Sequence, residues 1–482
     1  MPDAGPATDR ARDPTAPALE AFFTPQSIAV VGASRDPLKL GYVLLDNITR
    51  ARFAGPVYAV NPHADAVLGV PAFARVDEIP GPVDLAVLTI PAAAVESVIV
   101  DCARKRVRAA VVITAGFREA GAEGARREQR IVELARAGGV RIIGPNSLGI
   151  INTFASLNAT FAQAQPDRYE IAVISQSGAM ATAILDWARA IDVGFSKFVS
   201  LGNMADVSEV ELLSYLCDDP QTKLIVAYLE GFTDGRRVLD IAHRVTAAKP
   251  LVMMKVGRSA SGARAAQSHT GALASTDAVV DAALRQAGVV RAYTMEEFFD
   301  YTLAFSYLPL PRGLRLAIIT NAGGPGVMAV DAVERYGLEL ARLSPDARAR
   351  LAASLPPAAS SANPIDVLGD APADRYQLAI GVALEDPGVD AVIVLLTPQA
   401  VTEPERTARL ITHLARTSGK PVAAVYMGGD AVARGRLMLD SAHVPAYHYP
   451  ERAVRAIGAV AHYASYLRDI GGAARDGTPP EA

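Results

Sequence analysis

The chain is poor in the residues that build extracellular, metal-stapled or membrane proteins. Two cysteines, Cys102 and Cys217, occur in 482 residues. Both fall in helix-patterned stretches without CxxC or metal-ligand spacing, so a disulfide scaffold or zinc site is excluded and reduced thiols in a cytoplasmic protein are expected. No apolar run approaches the roughly 20 residues that span a bilayer. Residues 1–17, rich in Ala, Pro, Asp and Arg, lack the apolar core of a signal peptide and read as a disordered tail. The net charge is −4. Both signs are interspersed, which gives no basic stripe for nucleic acid and no polybasic face for a membrane surface. Histidine is also scarce, with seven in the chain. What remains is half apolar and one fifth charged, enough for about three ordinary domains of roughly 150 residues each.

The apolar runs alternate with helix-patterned stretches. Ile28-Ala29-Val30-Val31 is a strand that enters Gly32-Ala33-Ser34-Arg35 and, past Lys39 and Gly41, a helix over 42–51. Helix N-terminal amides attract phosphate through unpaired N–H groups and the helix dipole. The two glycines do not make a GxGxxG dinucleotide motif, and a plain strand-to-helix connection reads equally well. Strands over 57–60, 83–90, 109–114 and 141–143 follow. They end in Asn61-Pro62, in Ile90-Pro91, in Thr114-Ala115-Gly116-Phe117 and in Gly144-Pro145-Asn146. Near-continuous apolar strands alternating with helices predict a parallel sheet covered on both faces. The turn residues gather at its carboxyl edge, where such sheets bind ligands.

Residues 153–168 lack periodicity and read as a link. A second unit starts with strand 171–174, which runs into Ser175-Gln176-Ser177-Gly178 and a helix over 180–190. Hydroxyls, bare amides and the dipole converge there on an anion site, or on an ordinary serine N-cap. Strand 224–229 ends in Glu230-Gly231, and strand 250–256 leads into a small-residue run, 257–266, expected to be flexible, and then to His269 between Ser268 and Thr270. Imidazole titrates nearest neutral pH, so His269 suits a nucleophile, a base or a metal ligand, or is bonded to its own loop. Glu230 leaves the neighbouring strand and could orient that ring. A third unit opens like the second: strand 316–320, then Asn321-Ala322-Gly323-Gly324-Pro325-Gly326, then a helix over 327–336. That glycine turn admits a close anion or is simply tight.

Over about residues 18–470 these motifs, in this order and spacing, resemble the α subunit of the NDP-forming acyl-CoA synthetases. These are the ADP-forming acetate–CoA ligases, related to succinyl-CoA synthetase. The resemblance implies an α/β fold with a Rossmann-like CoA-binding domain (18–150) followed by two flavodoxin-like parallel-sheet ligase domains (151–308 and 309–470) and a tail (471–482). It implies that an acyl-CoA and phosphate give acyl phosphate and CoA, and that His269 carries the phosphoryl group to a nucleoside diphosphate with Glu230 orienting it. Ser175, Gln176, Ser177, Gly178, Gly323 and Gly324 would hold phosphate. Gly32, Ala33, Ser34, Arg35, Lys39, Asn61, Pro62, Ile90, Pro91, Thr114, Ala115, Gly116 and Asn146 would hold CoA.

Single-chain members add an ATP-grasp module. No nucleotide clamp or Mg²⁺ carboxylate set follows Val422 here, so ADP or ATP with Mg²⁺ is expected on a separate ATP-grasp β subunit in a heterotetramer. Two other readings are a CoA-binding regulator without turnover, disfavoured by the retained His269 and Glu230, and an NAD dehydrogenase, disfavoured by the missing GxGxxG.

Overall fold

The computed structural model describes residues 16–264 and 276–476. His269 and its neighbours from 265 to 275, and residues 1–15 and 477–482, lie outside the described residues. Two compact units divide the chain near Ala287, with the short stretches 190–192 and 252–254 grouping with the second.

The first unit carries its opening sheet on β1 (Ile28–Val31), β2 (Val57–Val60), β3 (Ala66–Val67), β4 (Val70–Phe73), β5 (Leu85–Leu88), β6 (Ala109–Val112) and β7 (Arg141–Ile143), in the order β3-β4-β2-β1-β5-β6-β7. Every pairing is parallel except β3 with β4. All four residues of β1, β5 and β6 are buried, as unbroken apolar runs between helical layers require. The helices are α1 (Ala16–Phe23), α2 (Leu40–Arg50), α3 (Ala92–Lys105) and α4 (Ala122–Ala137). The chain leaves β1 toward β2 on one side and returns to β5 on the other, so the strand order reverses at the carboxyl end of β1.

The next sheet is centred on β10 (Arg168–Ser175), with β11 (Phe195–Ser200) on one side and β12 (Leu224–Leu229) on the other, both parallel to it. Beyond β12 comes β13 (Leu251–Lys255); Ile225 N donates to Pro250 O and Val256 N to Leu229 O. Helices α5 (Gly178–Ala190), α6 (Glu209–Asp218) and α7 (Gly235–Thr246) follow β10, β11 and β12. The strand order again reverses at the end of the leading strand.

Three sequence expectations need correction here. The stretch read as a link from 153 holds β9 (Leu157–Thr160), which pairs antiparallel with β8 (Gly149–Asn152) and extends this sheet from β11. Buried Asn158 and Thr160 satisfy each other, with Thr160 Oγ1 donating to Asn158 Oδ1 at 2.7 Å, so no apolar alternation announces the strand. The run expected to be flexible from 257 turns helical over 260–264, started by Gly262 N donating to Ser259 Oγ. The tails are shorter than expected, because α1 begins at Ala16 and the last helix runs Pro450–Asp476.

β14 (Val290–Ala292) pairs parallel with β13. The second unit has a parallel sheet in the order β16-β15-β18-β19-β20, made of β15 (Arg315–Thr320), β16 (Glu339–Leu340), β17 (Ile365–Asp366, paired to the end of β15 and outside this path), β18 (Ala391–Leu396), β19 (Val422–Tyr426) and β20 (Ala446–Tyr447). The helix Gly323–Arg335 follows β15 directly. The helices Pro345–Ser354, Ala373–Glu385 and Asp430–Ser441, absent from the sequence reading, cover the sheet. No described helix is long and apolar enough to cross a membrane.

Candidate functional site

At the reversal point of the first sheet the backbone is drawn tight. Gly32 has φ +90°, and a Cβ there would stand 2.5 Å from Thr89 O. Gly32 N donates to Val60 O, and Asn61 Nδ2 donates to Ala33 O at 2.8 Å. Helix α2 then begins at Leu40 without a side-chain cap from Lys39, and α3 begins after Pro91 likewise. Both helices therefore present first-turn amides that no side chain occupies, the condition for holding an anion.

These turns open onto a cavity of about 950 Å³, lined by Gly32, Ala33, Ser34, Lys39, Asn61, Pro62, Ile90 and Pro91 among others. Its wall also holds His63, Arg75, Asp101 and Arg104, which sequence reasoning missed. Arg75 lies 2.5 Å from Asp101 and Arg104 lies 3.4 Å from the same carboxylate. Burial, then the charge of Asp77, pushes the Asp101 carboxyl up despite the two arginines. These cations sit off the strand ends, on a helix and a short connection, with no turn residues to mark them. Arg35 is turned aside: it is exposed and donates to His63 O at 3.3 Å.

A second cavity of about 640 Å³ shares Thr89 and Ile90 with the first. It brings Thr114, Ala115 and Asn146 from the first sheet together with Gln176, Ser177 and Gly178 after β10. Leu148, just before β8, and Phe161, from the stretch read as a link, also line it. Asn146 sits at φ +60° after the cis bond Gly144-Pro145. Gly202 packs on it so closely that a Cβ would stand 2.5 Å from Asn146 O. Gly116 lies outside the cavity wall. Its amide donates to Glu119 Oε1 at 2.6 Å, and Asn203 Nδ2 bridges Glu119 and Glu128. Burial pushes Glu119 up, yet the Asn203, Gly116 and Phe117 donors outweigh it and hold the carboxyl below its usual range. Glu128 stays raised because burial prevails over Asn203 and Arg118.

Where β10 ends, Ser175, Gln176 and Ser177 divide their work. Ser175 is fully buried, and its hydroxyl donates to Ser177 O at 2.8 Å, so it shapes the turn from beneath. Ser177 Oγ accepts from Met180 N at 3.3 Å, and its own O–H remains to donate into the cavity. Gln176 Oε1 accepts Glu230 N at 2.7 Å and Gly231 N at 3.2 Å, which ties the anion turn to the end of β12. Burial and then the Glu230 charge raise the neighbouring Tyr228 hydroxyl. His269, the expected partner of Glu230, lies outside the described residues.

The equivalent turn of the second unit is exposed at Gly323 and Gly324, with no atom within 4 Å of a Cβ built at either. It begins a helix without a side-chain cap at Ala322. Thr320 Oγ1 donates to Ala322 O at 2.8 Å, as Ser175 Oγ does to Ser177 O.

Residues 26–153 match the CoA binding domain, 168–305 the succinyl-CoA ligase like flavodoxin domain and 316–471 the ligase-CoA domain. The chain is 42% identical over 458 residues to the α subunit of ADP-forming acetate–CoA ligase II of Pyrococcus furiosus, covering 94% of this chain and 99% of that one. The chain belongs to the ADP-forming acetate–CoA ligase family. Its type is that of an α subunit of an acid–thiol ligase. It is 43% identical over 445 residues to ADP-forming acetate–CoA ligase I of Archaeoglobus fulgidus, spanning 92% of this chain but 64% of that protein. A solved structure of a dinucleotide-forming acetyl-coenzyme A synthetase from Ca. Korarchaeum cryptofilum, in complex with phosphate and ADP, superposes with a TM-score of 0.90 at 40% identity, covering 94% of this chain and 98% of that one.

Proposed function

We propose that the chain works as the α subunit of an enzyme that interconverts an acyl-CoA, phosphate and ADP with a carboxylic acid, CoA and ATP. The observation that carries this reading is the second cavity, where Thr114, Ala115 and Asn146 face Gln176, Ser177 and Gly178 across about 640 Å³. A thioester held by the first group of turns meets an anion held by the second. Residues 18–150 form the CoA-binding domain on this reading, and 151–308 and 309–470 the two ligase domains.

In the first step a phosphate oxygen attacks the thioester carbon, the C–S bond breaks, and CoA leaves as a thiolate that takes up a proton. Acyl phosphate results. A ring nitrogen of His269 then attacks its phosphorus, and the carboxylate leaves. Glu230 accepts the N–H of the other ring nitrogen and holds the ring in the attacking tautomer. Finally a β-phosphate oxygen of ADP attacks the phosphorus, the P–N bond breaks and ATP forms. The chain's own contribution is positioning and charge stabilisation by main-chain amides and the Ser177 hydroxyl, which suits phosphoryl transfer.

Among the described residues, no three His, Cys, Asp or Glu side chains gather as a metal cage. Because relatives matched over nearly their whole length are named as α subunits, we assign the Mg²⁺ and the nucleotide to an ATP-grasp β subunit, in a cytoplasmic heterotetramer.

The test is labelling with radioactive phosphate and acyl-CoA. The chain should acquire acid-labile, base-stable phosphate, and His269→Ala should acquire none. It should make ATP from ADP only after the β subunit is added. Equal labelling of His269→Ala overturns the carrier, and sustained ATP formation by the chain alone overturns the partner.

A further inference from the structure

Gln176 is 5% exposed, and its side-chain orientation is set by chemistry. Two backbone N–H groups, of Glu230 and Gly231, converge on one of its terminal atoms. An atom that accepts two N–H groups must be the amide oxygen, which assigns the NH₂ to the other end. That Nε2 has no partner among the described residues and is not sealed from solvent, and the residue lines the second cavity.

The second unit supplies an internal comparison. Asn321 occupies the matching place, after β15 and beside the end of β18. Its Oδ1 accepts Thr397 N at 2.9 Å and its Nδ2 donates to Thr397 O at 2.9 Å. Asparagine thus spends both ends on one neighbouring residue, as a purely structural tie does. The longer glutamine spends one end on the backbone of Glu230 and Gly231 and keeps two N–H donors for the cavity.

We propose that Gln176 couples the two halves of the site: its Nε2 donates to the tetrahedral anion bound in the cavity, and its Oε1 passes that restraint to the main chain carrying Glu230. The proposal rests on the anion-site reading given above. A bound phosphate fixes the amide group, and with it the hydrogen bonds that hold Glu230 and Gly231. Without the anion, water solvates Nε2 and the side chain is freer to leave both backbone donors. Gln176 is thereby a positioning residue for Glu230 as well as a ligand.

The experiment is hydrogen exchange of the full chain, read by mass spectrometry over 229–232, with and without inorganic phosphate. Isothermal titration reports phosphate occupancy, and circular dichroism reports folding. Phosphate should slow exchange of this segment in the wild type by about tenfold, which is about 1.4 kcal/mol. Gln176→Ala should exchange fast whether or not phosphate is present. Gln176→Glu keeps the acceptor at the same distance but replaces the donor with a negative charge, so it should keep the basal protection and lose the response. Slowing by phosphate that is equal in either folded variant and the wild type overturns the proposal. So does phosphate occupancy without slowing in the wild type, or no phosphate bound at all. A wild type that shows the slowing yet forms no phosphohistidine leaves the coupling in place and removes the transfer reading instead.

Discussion

Gly41 stands so close to Gly32 that a Cβ on Gly41 would lie 2.0 Å from the Gly32 carbonyl oxygen. The first turn of α2 is thus seated directly on the turn that ends β1. Alanine ordinarily stabilises an exposed helix by up to about 1 kcal/mol over glycine. Here the clash is with backbone, which cannot move aside as a flexible side chain would, and the steric term decides. Gly41→Ala should destabilise the chain by about 2 kcal/mol or more. It should also weaken CoA binding by roughly tenfold or more, because the α2 amides lose their aim at the cavity. Calorimetric titration with CoA and a thermal melt check both, and unchanged affinity would remove α2 from the CoA site.

Ser175 and Ser177 predict a clean separation. The Ser177 hydroxyl accepts from Met180 N and can still donate to an anion, whereas the Ser175 hydroxyl is already spent on Ser177 O. Ser177→Ala should raise the KM for phosphate by roughly tenfold, the loss of one hydrogen bond to a charged ligand. Ser175→Ala should lower stability by about 1 kcal/mol and affect KM less. The reverse ranking in steady-state kinetics would reassign the anion ligand.

The strands are the most legible part of the chain, because parallel strands buried on both faces must be written as apolar runs. The run 224–229 coincides with β12, and 141–143 with β7. Turn residues mark most of the site, since Gly32, Asn61-Pro62 and Asn146 stand where the backbone bends sharply. The antiparallel β8 and β9 are hidden, because their buried Asn152, Asn158 and Thr160 find partners only in the folded chain. Arg75 and Arg104 are hidden because a cation on a helix or loop looks alike in sequence whether it faces a cavity or water. Only the folded chain separates Ser175, beneath the turn, from Ser177, on its surface.

Lys197 is 1% exposed, with Nζ 2.6 Å from Asp219 Oδ2 and 3.0 Å from Gln221 Oε1. Asp219 Oδ2 also accepts Thr222 Oγ1 at 2.5 Å. Removing one charge leaves the other buried and uncompensated, at about 3–5 kcal/mol. Asp219→Ala should therefore be severely destabilised. Lys197→Met combined with Asp219→Leu should recover much of the loss, since an apolar pair of similar volume avoids both desolvation terms. Denaturant unfolding of the single and double variants tests this, and a double variant no better than Asp219→Ala would contradict it.

Asp440, near the end of the helix Asp430–Ser441, is pushed up to about 6 by burial, against the opposing pull of Arg436 and the Ala446 amide. An acid whose folded pKa is raised binds its proton more tightly in the native state than in the unfolded chain. Its contribution to stability is therefore complete below the unfolded value of 3.8 and is lost as pH rises through about 6. The penalty above that window is at most roughly 3 kcal/mol, from about 1.4 kcal/mol for each tenfold change in proton affinity. Asp440→Asn cannot ionise and escapes this penalty. The variant should melt higher than wild type at about pH 7 and lose that advantage at about pH 4. An advantage of the same size at both pH values would mean that the amide packs better for reasons other than charge, and no advantage at neutral pH would mean that Asp440 is solvated when ionised.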